Sequence, residues 1–191
     1  TGDDNVAVGH SALKTEDANG RNTAVGFEAL LTLNAGADGE NVGVGYRAGK
    51  ALTEGVQNTL IGVQAGDALT HADYNVAVGR NALSGDTQGH KSTAIGVGAL
   101  NVQNFTSSTD SNNTAVGYNA GTAVTTGTAN TFIGGLAGDG TDDGVNNVAV
   151  GYIALSANAA AGNTAVGKGA ASGATGSDNV CIGKDSGFAL T

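Results

Sequence analysis

The sequence predicts an all-β fold, a parallel β-solenoid of about eleven coils. Three observations predict it. A nine-residue phrase recurs eleven times in 191 residues, and a fixed phrase at a fixed period is the mark of a repeat architecture. The second and fourth residues of the phrase are β-branched in all eleven copies, the period-two pattern of a short strand. The fifth is Gly in every copy, from Gly9 to Gly183, as a corner requires where the chain turns with positive φ or passes close to another backbone.

The phrase reads Asn, Val or Thr, a usually small residue, Val or Ile, Gly, two variable residues, Ala or Ser, then Leu, Gly or Ala. Copies open at Asn5, Asn22, Asn41, Asn58, Asn75, Ser92, Asn113, Asn130, Asn147, Asn163 and Asn179, so the steps are 17, 19, 17, 17, 17, 21, 17, 17, 16 and 16. A 17-residue period is too short for a helix-turn-helix repeat and carries no sustained helical spacing. Residues 1–191 therefore form a single repetitive domain. With copies running almost from end to end, and with no cap or linker legible, the chain reads as a segment of something longer.

Each position of the phrase has a physical reading. The opening Asn residues (5, 22, 41, 58, 75, 113, 130, 147, 163 and 179) are expected to stack from coil to coil as a structural ladder, side-chain amides bonding along the axis. Positions three and nine compensate each other. Where three is Leu60, Phe132 or Cys181, nine is Gly66, Gly138 or Gly187; where nine is Leu13, Leu30, Leu83, Leu100 or Leu155, three is Ala. Two side chains filling one space explain this, although the Gly-Gly of the third copy and the Ala-Gly of the seventh depart from the rule. In several Gly copies an apolar residue returns three places later, at Leu52, Leu69, Val124 and Leu190. Phe27, Tyr46, Tyr118 and Tyr152 follow the Gly corner, where they cover a neighbouring chain or shield the coil edge; the sequence supports either.

Composition narrows the function. There are 33 Gly, no Pro, Met or Trp, and only four Tyr and four Phe, a composition that argues against a conventional globular core. No apolar run approaches the length of a membrane span, and no signal peptide is legible. Formal charge is −9, with eight Lys and Arg scattered singly; no basic stripe is present to bind nucleic acid. Cys181 stands alone in the small-residue slot of its repeat and reads as a packed thiol. Coils of Ala and Val bury little per residue against chain entropy. This predicts association, three chains on a common axis, each offering one sheet to the centre of a rod about 50 Å long at ~4.8 Å per coil.

Asn-Thr-Ala-Val-Gly-Tyr-Asn-Ala at 113–120 and Asn-Val-Ala-Val-Gly-Tyr-Ile-Ala at 147–154 resemble the head repeats of YadA-type trimeric autotransporter adhesins. They resemble equally the Asn-Thr-Ala-Val-Gly-Tyr repeats of bacteriophage tail fibres. The resemblance covers essentially the whole chain. It implies a parallel left-handed β-roll in a homotrimer, displayed outside the cell or virion and used for attachment to a host surface glycan or protein receptor, with neighbouring fibre domains as further partners. Adhesin heads typically use coils of about 14 residues, so the 17-residue period fits the phage form better. The self-cleaving chaperone domain that often ends such fibres is not visible here.

The chain thus reads as a non-enzymatic attachment segment of a virion tail fibre, without cofactor. A bacterial adhesin head and a self-assembling extracellular filament are the alternatives. Val-Gly-x-x-Ala-Leu echoes the hexapeptide of β-helix acyltransferases, but those stack three hexapeptides per coil. An ice-binding solenoid would want a persistent Thr-x-Thr file, and Thr instead alternates with Val at position two. His10, His71 and His90 fall in different parts of the repeat and read as surface or loop residues without the close partner a metal site needs; His10, repeated in three chains, is the candidate for an ion on the axis. Asp139, Asp142 and Asp143 read as solvated turns, since no calcium-loop motif is legible. Recognition concentrates in loops on rigid scaffolds, and two coils carry extra residues. The stretch between Asn101 and Asn112, where Phe105 amid Ser, Thr, Asn and Gln reads as exposed, supplies the receptor-contact candidates Asn104, Phe105, Thr106 and Asp110; the excursion from Leu31 to Glu40 is the lesser one.

Overall fold

The computed structural model describes residues 3–16, 20–36, 38–188 and 190. The strands are β1 (Val6–Val8), β2 (Thr23–Val25), β3 (Val42–Val44), β4 (Thr59–Ile61), β5 (Val76–Val78), β6 (Gly89–His90), β7 (Thr93–Ile95), β8 (Thr109–Asp110), β9 (Thr114–Val116), β10 (Thr131–Ile133), β11 (Val148–Val150), β12 (Thr164–Val166) and β13 (Val180–Ile182). Among the described residues there is no helix. Eleven strands, one per phrase, form one parallel sheet in chain order, and β6 pairs with β8 in a separate two-stranded sheet. Each strand of the large sheet is residues two to four of its phrase, in register with the same residues of the next: Thr59 with Val76, Leu60 with Ala77, Ile61 with Val78. The chain is a β-solenoid whose coils stack without slippage even where the step is 19 or 21 residues.

The fifth-position Gly is required twice over. Gly79 has φ +136°, and a Cβ there would stand 2.5 Å from the carbonyl oxygen of Gly96 in the next coil. Three further places per coil are left-handed without needing Gly. These are the residue before the opening Asn (Arg21, Tyr74, Lys91), position seven (Glu28, Gln64, Asn81) and position nine (Leu30, Leu83, Leu100). A left-handed residue costs about 1–2 kcal/mol, and the neighbouring coil offsets it by fixing the backbone there. Position seven donates its N–H to the preceding coil, as Gln64 N to Tyr46 O at 2.8 Å, and position nine to the following coil, as Leu83 N to Ala99 O at 2.9 Å.

Position three points inward and is fully buried in nearly every strand, whereas positions two and four point out and are half-buried to exposed. The expected compensation between positions three and nine holds, and its two departures have a cause. A Cβ on Gly43 would meet Leu30 Cγ of the preceding coil at 2.7 Å, and one on Gly49 would meet both Leu60 at 2.6 Å and Leu30 at 2.7 Å. In the seventh copy, a Cβ on Gly121 would meet Phe132 at 2.8 Å and Leu100 at 2.9 Å. The shared space spans adjacent coils, so Leu30, Leu60, Leu100 and Phe132 account for the glycines of the copies beside them.

The opening Asn residues form the expected ladder through a more specific bond set. Asn58 Oδ1 accepts from the backbone N–H of Asn75 at 3.0 Å, while its Nδ2 donates to Ala72 O at 2.8 Å. Asn41, Asn130 and Asn147 bond in the same way. Amide-to-amide bonds occur too, as from Asn58 to Asn41 at 3.1 Å, but the recurrent link is side chain to backbone. It satisfies a buried donor and a buried acceptor that no strand reaches.

Candidate functional site

The extra residues of the sixth coil are held down by a buried polar chain. Eleven residues after the opening Asn, the chain returns inward at Leu33, Leu52 and Leu69, and then at Asp86 and Gln103 before Val124. Asp86 Oδ1 accepts from Gly89 N at 3.1 Å and Phe105 N at 3.0 Å, and its Oδ2 accepts from Gln103 Nε2 at 2.6 Å. Gln103 Nε2 also donates to Ser92 Oγ at 3.1 Å, and Gln103 Oε1 accepts from Asn113 Nδ2 at 2.8 Å. Ser92 Oγ then donates to Ser111 Oγ at 2.6 Å, since the Ser111 hydroxyl proton goes to His90 O at 2.6 Å. Every proton in this chain has an acceptor, which is what makes a buried polar network tolerable. Ser92, the one copy without the opening Asn, is the splice. Its short side chain admits Gln103 and Ser111 where the ladder skips a rung.

This arrangement fixes the candidate receptor residues. Phe105 is buried, 6% exposed, and a Cβ on Gly89 would stand 2.9 Å from its ring. The expectation of an exposed Phe105 is therefore corrected: the Asp86 carboxylate captures its N–H and draws the ring inward over Gly89. Asn104, Thr106 and Asp110 are exposed. Asn104 Oδ1 accepts from Thr87 Oγ1 at 3.1 Å, and Asp110 pairs with Lys91 Nζ at 2.6 Å. The insertion is a pinned ridge, with β8 paired to β6, and its outward polar groups are partly used in holding it there.

His90 has closer partners than its sequence context suggests. Nδ1 accepts from Asp73 N at 2.9 Å, Nε2 lies 2.9 Å from Ser108 Oγ, and Asp73 Oδ2 is 3.5 Å from Nδ1. Ser, His and Asp in this order resemble a hydrolytic triad, but the wiring is reversed. The Asp73 N–H needs a lone pair on Nδ1, so in the neutral ring the proton sits on Nε2 and points at Ser108. A ring donating to the serine cannot take its proton, and the set serves as a second clamp on the insertion.

His10 stacks on Phe27 at 5.0 Å between centroids, and Phe27 on Tyr46 at 5.5 Å. His71 is exposed beside Glu54, 3.8 Å away. Among the described residues no three His, Cys, Asp or Glu side chains converge as a metal-ligand set. In the acidic turn, Asp142 Oδ1 accepts from Thr125 Oγ1 and its N–H donates to Asn158 Oδ1 at 3.1 Å. Burial pushes the Asp139 carboxyl above its ordinary pKa. In the Leu31–Glu40 excursion, Arg21 pairs with Asp38 at 2.9 Å and Glu40 at 3.4 Å, all three exposed.

No family model, curated protein or solved structure matches the chain. What the sequence could have disclosed is the polar splice. Asp86 and Gln103 stand 17 residues apart in a file where Leu69 precedes them and Val124 follows, next to the one broken rung of the Asn ladder.

Proposed function

We propose that this chain is a structural and attachment segment of a homotrimeric fibre, a bacteriophage tail fibre that engages a host-surface glycan, each protomer a left-handed roll. The observation that carries the reading is the outer face of the eleven-stranded sheet. Position four puts Val or Ile there in every coil, with Val8 57%, Ile61 37%, Ile95 39%, Ile133 41% and Ile182 71% exposed. Position two adds a parallel file of Val and Thr. The strip is continuous and charge-free over about 50 Å at ~4.8 Å per coil, unlike the scattered apolar residues of an ordinary surface. Three copies around an axis would bury all three strips in matching register, supplying the apolar burial that a single thin coil lacks. Weak sites repeated three times on a rigid rod then gain strength by avidity.

The test is to charge the strip. The double variant Val78→Asp and Ile95→Asp leaves each coil's inward packing intact and puts carboxylates on the proposed axis. The expected result is a fall from three-chain to one-chain mass, with loss of capture on an array of bacterial surface glycans. Unchanged mass would overturn the shared-axis reading. A bacterial trimeric adhesin head would give the same masses, and the preference for the phage form rests on the 17-residue period.

A further inference from the structure

We infer that Tyr118, Gly135 and Tyr152 form a slot for one pyranose ring of a glycan, stacked between the two tyrosines. All three occupy position six of consecutive coils, past the Gly corner and off the strip proposed for the axis. The same file at its N-terminal end is a template for the filled state. There His10, Phe27 and Tyr46 stack face to face, at 5.0 and 5.5 Å with interplanar angles of 11° and 13°. The C-terminal triplet has the outer rings without the middle one. Tyr118 and Tyr152 are 60% and 54% exposed, and no ring contact joins them among the described residues. Two coils set them roughly 10 Å apart along the axis, room for one ring at contact distance from both.

Gly135 is the second observation. The other glycines of the repeat's phrase either have a left-handed φ or would bring a Cβ within 3.0 Å of a neighbour, as Gly134, Gly138 and Gly43 do. At Gly135 a Cβ would find only ordinary contacts, 3.6 Å to Tyr152 Cδ2 and 4.0 Å to Tyr118 O, and its φ is not left-handed. The fold does not need this glycine; the equivalent residues of the fourth and sixth coils are Val63 and Val97. What the missing side chain provides is an open floor between two aromatic walls.

A ring held there has its faces on tyrosine and its rim in water, which suits apolar C–H faces edged with hydroxyls. Lys168, next in the file and exposed, adds a donor beside Tyr152. A chain of net charge −9 disfavours a polyanionic occupant. The choice of a sugar over another flat ring rests on the attachment reading above; the slot itself does not.

Saturation-transfer NMR on the full 191-residue chain tests it, using millimolar methyl glucopyranoside, galactopyranoside, mannopyranoside and N-acetylglucosaminide, with phenol as the aromatic probe. The expected result is saturation of pyranoside ring C–H protons. Tyr118→Ala and Tyr152→Ala should each weaken it roughly two- to tenfold, and Gly135→Val should abolish it while mass and circular dichroism stay unchanged. The slot is overturned if no pyranoside is saturated, if phenol alone is, or if Gly135→Val changes nothing. Capture on a glycan array separates the two readings. Equal capture of wild type and Gly135→Val sinks the slot and leaves attachment standing, whereas pyranoside binding without array capture sinks attachment alone.

Discussion

At the scale of single residues, the fold is held by side chains that replace backbone partners. Asn58 is the clearest: fully buried, accepting from Asn75 N and donating to Ala72 O. Asn58→Ala leaves both groups buried and unmet, a loss of roughly 2–4 kcal/mol. Asn58→Asp should be worse in thermal unfolding, because it turns an acceptor toward the Ala72 carbonyl; an Asp variant as stable as wild type would refute the bond assignment. Asp139 makes the opposite case. Its folded pKa is raised by burial, so the folded state favours the protonated form. Its contribution is most favourable below the unfolded carboxylate pKa and is lost as pH rises through the folded one. Asp139→Asn should therefore raise the melting temperature at pH about 7 and have no effect at about pH 3, measured as paired melts at the two pH values.

At the scale of the coil, strand positions were legible because their chemistry is local. Residues two to four of all eleven phrases are the eleven strands of the main sheet, since alternate β-branching and an obligatory Gly leave no other arrangement. The left-handed residues at positions seven and nine were not legible. Leu30 and Gln64 adopt a backbone they disfavour because the adjacent coil takes up their N–H groups, a tertiary effect that no local propensity records. Phe105 misled for a related reason. Its polar neighbours suggest exposure, but the carboxylate that draws it inward is 19 residues earlier, at Asp86. The inward column that holds Asp86 and Gln103 also contains Thr141, whose Oγ1 is buried without a hydrogen-bond partner. Thr141→Val, matching Val124 in the preceding coil, should stabilise the chain by about 1 kcal/mol. A lower melting temperature would mean that the hydroxyl has a partner.

At the scale of the whole molecule, the inward side chains are mostly Ala, with one or two larger apolar residues in most coils, while an apolar strip runs unbroken along the outside. A lone solenoid of this width has its best remaining apolar surface facing water, an imbalance that the proposed shared axis would resolve. In that proposed assembly the corner and edge files would stay outside, with the pinned insertion and the position-six tyrosines displayed along the rod. The most direct test is the absolute mass of the purified 191-residue segment by light scattering. The account predicts three times the 18.4 kDa of one chain; a folded species with the mass of a single chain would contradict it.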